Sequence, residues 1–499
     1  MKKLFYRFIL PILIVSVFTS SCKEDDEAPV LSVTGSDMTI PVGGIIPQIT
    51  ISELGGMSEI TITCNDKWHI YNPGSTWLQV SHVSGNSGTS TIEVSAGLNE
   101  TGFTRSTVLT INSDNGQARR VTCSQPSKLY PSYNTSPQAP DATGMSSTAV
   151  ELAAKMHMGI NFGNTMESPN EAEWVSSKIT LEYVQFVKQL GFNTVRLPTG
   201  WVWSHLSDQD KMKIDPAWLE RVKEVVKWCV DNDMYVILNA HGDDGWLERH
   251  VDAESQETIN AKLKAIWEQI ATTMRDFDEH LIFAGTNEPS VGDATQMAIL
   301  NGYHETFIKA VRATGGKNSY RVLVVQGPST DIIKTSQLMT PTTLPHDPVP
   351  NRMMLEVHFY GPWHFNLPQD GLYNADTKAS YYWGAGNHST IEPERNAPDG
   401  EEDELMVEMG KIKKFVDAGI PVMLGEYGTW RRTAQYNGQI PLDTEMHNKS
   451  VDAWATFVTK TARENGMVPF WWEIGFMLDR ANNVVKDQAM LDAIKAGYQ

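Results

Sequence analysis

Beginning near His157, the chain alternates strictly between strand-like and helix-like segments to its C-terminus, and few folds satisfy that pattern. Candidate strands are His157 to Gly163, Asn193 to Thr199, Tyr235 to His241, Leu281 to Glu288, Tyr320 to Gly327, Met353 to Tyr360, Val422 to Tyr427 and Val468 to Ile474. Helical apolar periodicity lies between them, clearest at Pro216 to Asn232, Glu257 to Phe277, Glu404 to Ala418 and Asn448 to Glu464. Eight βα units over roughly 350 residues predict an α/β fold, a closed (β/α)8 barrel with its excess length in the βα loops. The longest loop, Gly361 to Glu402, carries Trp363 and Trp383 and is placed to overhang the active face.

The 499 residues exceed what one core organises, so more segments are expected before the barrel. Residues 1–21 have a basic start and an apolar run from Phe8 to Phe18 interrupted by Pro11, too short to span a bilayer and read as a cleaved export signal. Thr19-Ser20-Ser21-Cys22 resembles a bacterial lipobox, which implies lipidation of Cys22, and the acidic tether 22–29 resembles the tag of Bacteroidetes surface lipoproteins. The implied location is the outer face of the outer membrane, anchored by lipid at Cys22. Residues 30–126 are short alternating runs such as Glu59 to Thr63, Ser90 to Ser95 and Thr107 to Ile111, which predict a small all-β, immunoglobulin-like sandwich. Its Trp68, Trp77-Leu78, Ser84-Gly85, Asn99, Arg105 and Gln125 resemble the BACON domain, a module named for suspected carbohydrate binding; we read it chiefly as a spacer. Residues 127–144 are proline- and serine-rich and read as a linker, and 145–499 as the barrel.

Formal net charge is −19, and removal of Lys2, Lys3 and Arg7 with the leader takes it to −22, which argues against a nucleic-acid partner and is neutral towards a polysaccharide. After Cys22, the cysteines are Cys64, Cys123 and Cys229, whose spacing fits no zinc or redox motif. Cys64 and Cys123 lie on strands of one exported domain, so a disulfide and two buried thiols are both open readings.

In such a barrel the active site forms at the C-terminal strand ends. There the chain places Arg196-Leu-Pro198, Asn239-Ala-His241, Thr286-Asn-Glu-Pro289, His358-Phe-Tyr360, Gly425-Glu-Tyr-Gly428 and Trp471-Trp-Glu473. Any one of these is ordinary, since a carboxylate before a proline, like Glu288, is also a helix-start acid. Six on one rim are a constellation. Glycosidic hydrolysis needs one acid to protonate the leaving oxygen and one carboxylate across the anomeric carbon; about 5 to 5.5 Å apart, the pair retains configuration. Glu288 and Glu426, on the fourth and seventh strands, face each other across the barrel.

These residues, with Asn161-Phe-Gly-Asn-Thr165, Asn287-Glu-Pro289 and Trp472, resemble glycoside hydrolase family 5 over about Ala154 to the C-terminus. The resemblance implies Glu288 as acid/base and Glu426 as nucleophile. It implies that Arg196 lies beneath Glu426 and favours its ionised form, that Asn287 binds the substrate 2-hydroxyl, and that Tyr360 hydrogen-bonds the nucleophile. His241 and His358 orient sugar and acid/base, Trp472 floors the cleavage subsite, and Asn164 and Trp363 join the substrate-binding set, with Trp201, Trp203 and Trp246 further stacking candidates. Ile160 and Gly242 depart from residues common in relatives, and both are expected in the substrate-facing shell. No cofactor or metal is implied.

The implied partner is a plant cell-wall polysaccharide, cut by a monomeric endo-β-1,4-glucanase acting on xyloglucan, mixed-linkage glucan or cellulose-type chains. A β-mannanase, a non-catalytic surface glycan-binding protein and a transglycosylase are the competing readings.

Overall fold

Residues 28–499 are described by the computed structural model, apart from 42–43, 73–74, 100–103, 128, 176, 367–368, 372–375 and 434–438, and they form two compact units that divide after residue 128. The leader, Cys22 and most of the acidic tether lie outside the described residues.

The first unit pairs two sheets. One holds Leu31–Thr34, Gly56–Cys64, Gly88–Ala96 and Leu78–Val80; the other holds Gln48–Thr50, Ala118–Gln125, Arg105–Ser113, Trp68–Tyr71 and Ser84–Gly85. Alternate side chains point inward, so Ile60, Ile62, Ile92, Val94, Leu109, Ile111 and Val121 share one core. The residues behind the BACON resemblance brace this sandwich. Trp68 is 2% exposed, with Gly85 so close that a β-carbon there would stand 2.5 Å from its ring. Trp77 lies 4.8 Å beneath the Arg105 guanidinium, whose Nε donates to Gln125 Oε1 at 2.8 Å. Trp68 therefore has no ring face to offer a sugar. Cys64 and Cys123 are unpaired and buried, and burial pushes the Cys123 thiol up to about 12.

In the second unit eight parallel strands close a barrel in chain order: β1 (Gly159–Phe162), β2 (Thr194–Leu197), β3 (Tyr235–Asn239), β4 (Leu281–Ala284), β5 (Leu323–Asp331), β6 (Met353–Phe359), β7 (Val422–Tyr427) and β8 (Met467–Glu473), which returns to pair with β1. All eight predicted strands are present. Covered on both faces, they sort their side chains by alternation. Val236, Leu238, Phe283, Leu323 and Val325 pack outward against helices. Ile237, Ile282, Val324, Met354, Met423 and Phe470 fill the lumen, and Leu152 and Met156 at α1 (Ala149–Lys155) join that cluster. Above this apolar plug the inward positions become polar, and the site lies there.

The helices follow local rules. The helix Pro216–Asp231 starts where the Asp215 side chain accepts from Ala217 N at 3.0 Å and Pro216 occupies the first turn, and it buries Trp218, Val222, Val225 and Cys229. The helix predicted over Glu404 to Ala418 is two pieces, Glu402–Gly410 and Lys413–Asp417. The break falls at Gly410, a poor helix former, where tighter i→i+3 bonds replace the helical ladder.

Residues 129–143, expected as linker, run docked along the barrel. Tyr133 N donates to Glu268 Oε2 at 2.6 Å, Ser132 Oγ donates to the same oxygen at 3.0 Å, and Gln138 N donates to Thr314 O at 3.1 Å. Their backbone polar groups need partners, and the barrel supplies them.

One irregularity aims the chemistry. Along β7, Leu424 pairs with Val357 and Glu426 with His358, so Gly425 is an extra residue, a β-bulge. Strict alternation from the inward Met423 would turn Glu426 out; the bulge turns it into the lumen.

Candidate active site

Arg196, fully buried on β2, organises the floor. Its guanidinium donates from Nη1 to Glu426 Oε1 at 2.8 Å and to Asn161 Oδ1 at 3.0 Å, and from Nη2 to Asn287 Oδ1 at 2.6 Å, while Nε lies 2.8 Å from Glu356 Oε1. Burial opposes the guanidinium charge, but Glu356 and Glu426 outweigh it and raise the Arg196 pKa. Tyr360 Oη donates to Glu426 Oε2 at 3.0 Å. Burial, then the charges of Glu426 and Glu288, hold that phenol well above its ordinary value, so it stays a donor. Glu426 therefore accepts from a cation on one oxygen and from a phenol on the other.

Glu288 stands across the cleft just beyond β4, with 45% of its side chain exposed. Its Oε1 lies 2.6 Å from His358 Nδ1 and 3.4 Å from Thr330 Oγ1. One oxygen of each glutamate and a ring nitrogen of His358 all lie within 4.8 Å of one another. Burial lifts the Glu288 carboxyl, but the hydrogen bond and charge of His358, with Arg196, hold it below the usual range. Burial pushes His358 down, and Glu426, Glu288 and Glu356 carry it up to about 10. The two side chains share one proton and titrate as a pair. These are also the only three donors among the described residues grouped closely enough to hold a metal. Arg196 already pairs with Glu426, and the proton shared by His358 and Glu288 occupies the other two, which disfavours a cation.

His241 stacks on Trp472 at 5.8 Å between ring centroids, and burial, then the charges of Arg196 and His358, keep it neutral by lowering its pKa well below 6.5. Gly163 seats the Trp472 ring, since a β-carbon there would lie 3.0 Å from it. Trp472, Trp430, Phe476 and Tyr360 line a cavity of about 260 Å³, while Glu288, Thr330, His358, Tyr360 and Trp363 line another of about 460 Å³. Tyr360, the donor to Glu426, borders both cavities, and Glu288 lines the larger of the two.

The remaining predicted residues divide between buried and exposed positions. Asn164 lies on the rim loop with φ +58, its N–H donated to Glu167, and it is Asn161 that reaches Arg196. Trp201 is fully buried with Nε1 donating to Asn239 O at 2.9 Å, and Trp383 is fully buried with Nε1 donating to Gly400 O at 2.7 Å. Neither can stack on sugar. Ile160 packs in the core between barrel and helices, because its strand position points outward, and so it is absent from the substrate-facing shell. Trp246 is partly buried against that same core. Trp363 and Trp203 are exposed, at 52% and 45%.

Three features escaped the sequence reading. Glu356, two residues before His358, looked like part of an apolar strand; it is wholly buried, and although burial opposes its charge, Arg196 and His358 hold its pKa down to about 2. Glu248 accepts the Glu288 backbone N–H at 2.9 Å, and burial with the charge of Glu288 raises its pKa. Trp174, 48% exposed, pairs with Trp203 at 6.1 Å, and buried Asp243 holds that ledge by accepting the N–H groups of Trp201, Val202 and Trp203 at 2.8, 2.6 and 2.7 Å.

A (β/α)8 barrel with two carboxylates this close at its C-terminal rim, one on a cation and one on a shared proton, has the site of a retaining glycoside hydrolase. The comparisons agree. Residues 155–477 match the model of Cellulase (glycosyl hydrolase family 5), and the chain belongs to that family. It is 30% identical, over 98% of its length and 96% of the relative's, to a xyloglucan-specific endo-β-1,4-glucanase of Bacteroides ovatus. It is 31% identical over 74% of its length to endoglucanase A of Paenibacillus barcinonensis, covering 94% of that protein. Among solved structures, a Bacteroides ovatus GH5 xyloglucanase in complex with a XXXG heptasaccharide superposes with TM-score 0.66 at 29% identity, covering 94% of this chain and 100% of that one.

Proposed function

We propose that the protein is an endo-β-1,4-glucanase that cuts xyloglucan-type chains, with Glu426 as nucleophile and Glu288 as acid/base. The observation that carries this reading is the approach of the two carboxylates within 4.8 Å beside Arg196. In the first step Glu426 attacks the anomeric carbon, the bond to the leaving oxygen breaks, and that oxygen takes the proton of the Glu288–His358 pair. In the second, water attacks the same carbon, its proton returns to the pair, and Glu426 leaves as a carboxylate. Asn287, held by Arg196 through Oδ1, presents its amide to the 2-hydroxyl, a contact that strengthens as positive charge develops on the sugar. Two cavities that both border Tyr360, one of them lined by Glu288, suit cleavage within a chain, and the exposed Trp363 and the Trp472–Trp430–Phe476 wall offer faces for glucosyl units.

The test is turnover by E288Q and E426Q on soluble glucans, with product stereochemistry followed by NMR. Each substitution is expected to abolish hydrolysis while leaving glycan binding intact, and the product should retain configuration; undiminished turnover in either variant overturns the assignment. Activity on xyloglucan, mixed-linkage glucan, carboxymethyl cellulose and mannan decides the substrate, and preference for mannan sinks the glucanase reading.

The lipobox-like Cys22 and acidic tether support a surface lipoprotein, and the braced BACON-like sandwich supports a spacer. A C22A variant should lose fatty-acid labelling and leave the membrane fraction; unchanged membrane retention would contradict the anchor.

A further inference from the structure

His358 has a carboxylate at each ring nitrogen, and only one of them faces the cleft. Nδ1 meets Glu288 at 2.6 Å, and Nε2 lies 3.3 Å from Glu356 Oε1 in the dry interior. Glu426, across on β7, lies 3.7 Å from Nδ1. The Glu356 carboxylate is occupied on both oxygens: Oε1 also lies 2.8 Å from Arg196 Nε, and Oε2 accepts from Gln326 Nε2 at 2.6 Å. Gln326 cannot turn over, because its Oε1 accepts from Thr286 N at 3.0 Å and Thr286 Oγ1 at 2.8 Å. Paired with the Arg196 guanidinium and bonded by Gln326, Glu356 is an ionised carboxylate that can only accept, so the His358 nitrogen facing it, Nε2, carries a proton.

We propose that Glu356 is a positioning residue for the acid step, fixing His358 in the tautomer that leaves a single mobile proton in the bond between His358 Nδ1 and Glu288 Oε1. This rests on the assignment of Glu288 as acid/base. With Nε2–H fixed, a neutral ring can only accept at Nδ1, and the short bond then needs its proton from Glu288, the armed acid. An imidazolium places the same proton on Nδ1, one hop from the carboxylate. The opposite tautomer, Nδ1–H with Nε2 bare, would donate to an ionised Glu288 and leave nothing to give the leaving oxygen. Proton transfer conserves the count: the Nδ1–H bond breaks, a Glu288 O–H forms and then breaks, and the proton ends on the leaving oxygen with His358 neutral.

The same hydrogen bonds supply a sharp test. In E356Q every orientation sets donor against donor, the new amide N–H₂ meeting either Gln326 or Arg196 and His358. The double variant E356Q/Q326E relieves this, because the carboxylate introduced at position 326 accepts from Thr286 and from the new amide, leaving an amide oxygen towards His358. In the full chain, E356Q is expected to lower kcat/KM on xyloglucan ~100-fold, a general-acid-sized loss, with KM nearly unchanged. On 2,4-dinitrophenyl β-cellobioside, whose leaving group needs no proton, the loss should be under ~5-fold. The double variant should recover most of the xyloglucan activity. Wild-type activity in E356Q, or equal losses on both substrates, overturns the proposal. Should E356Q fail to fold, ¹⁵N shifts of His358 in the unaltered protein decide: Nε2 protonated from pH 5 to 9 supports it, and a bare Nε2 refutes it. E288Q measured alongside separates the two failures. If E288Q keeps activity the acid/base assignment falls; if E288Q is dead and E356Q is not, only the role of Glu356 falls.

Discussion

Gly425 and Glu356 occupy one volume: a β-carbon on Gly425 would stand 2.0 Å from Glu356 Oε1. The bulge that aims Glu426 is therefore made of a glycine because a buried carboxylate fills its side-chain space. G425A must displace Glu356 from Arg196 and His358 or shift β7. It is expected to destabilise the barrel by about 2–4 kcal/mol and to abolish turnover, read from denaturant midpoints and hydrolysis rates. An alanine variant that melts like the wild type would show that the bulge can move.

The Tyr360 phenol on Glu426 should weigh more in turnover than in folding. A hydrogen bond to a charged group contributes about 1.5–3 kcal/mol, so Y360F should lower kcat roughly 10- to 100-fold with the thermal midpoint little changed. A kcat within twofold of wild type would remove Tyr360 from the support of Glu426.

Stability should depend on pH through the buried pair. His358 rises from 6.5 unfolded to about 10 folded, so its contribution is complete below pH 6.5 and is lost as pH climbs through 10. Glu356 falls from 4.5 to about 2, so its contribution is complete above pH 4.5 and is lost on acidification towards 2. The midpoint difference between wild type and H358Q should narrow between pH 6.5 and 10; a constant difference would show that His358 is neutral in the folded protein.

The Trp174–Trp203 ledge is expected to hold sugars far from the bond being cut. W174A and W203A should raise KM several-fold on long glucan chains and leave hydrolysis of a short chromogenic cellobioside unchanged, since stacking of a pyranose on an indole contributes on the order of 1 kcal/mol. D243A, which frees three backbone N–H groups of the Trp201–Trp203 turn, should reproduce the W203A effect with added loss of stability. Equal KM changes on long and short substrates would place the ledge within the catalytic subsites.

Periodicity and strand-end chemistry are local properties, and they were readable residue by residue. Eight buried runs separated by helical stripes admit one closed architecture, and Arg196, Asn287, Glu288, His358, Tyr360, Glu426 and Trp472 fall at their C-terminal ends, where a barrel must put its polar side chains. Which tryptophans face solvent was not readable, because Trp201 and Trp203 differ only in how a turn held by Asp243, 40 residues further on, directs them. The linker looked free because nothing in its own composition records the partners waiting on the barrel at Glu268 and Thr314. Glu356 shows the division most clearly. In a run of Met, Leu and Val it is an anomaly that shares a strand face with His358, and it gains its remaining partners only when barrel closure brings Arg196 from β2 and Gln326 from β5 to the same carboxylate. The order of residues was enough to specify the barrel and to put Glu288 and Glu426 on its rim; the folded lumen gave most of the buried charges their counter-charges, because Arg196–Glu426, Arg196–Glu356 and His358–Glu288 join residues from separate strands and cost too much to bury singly.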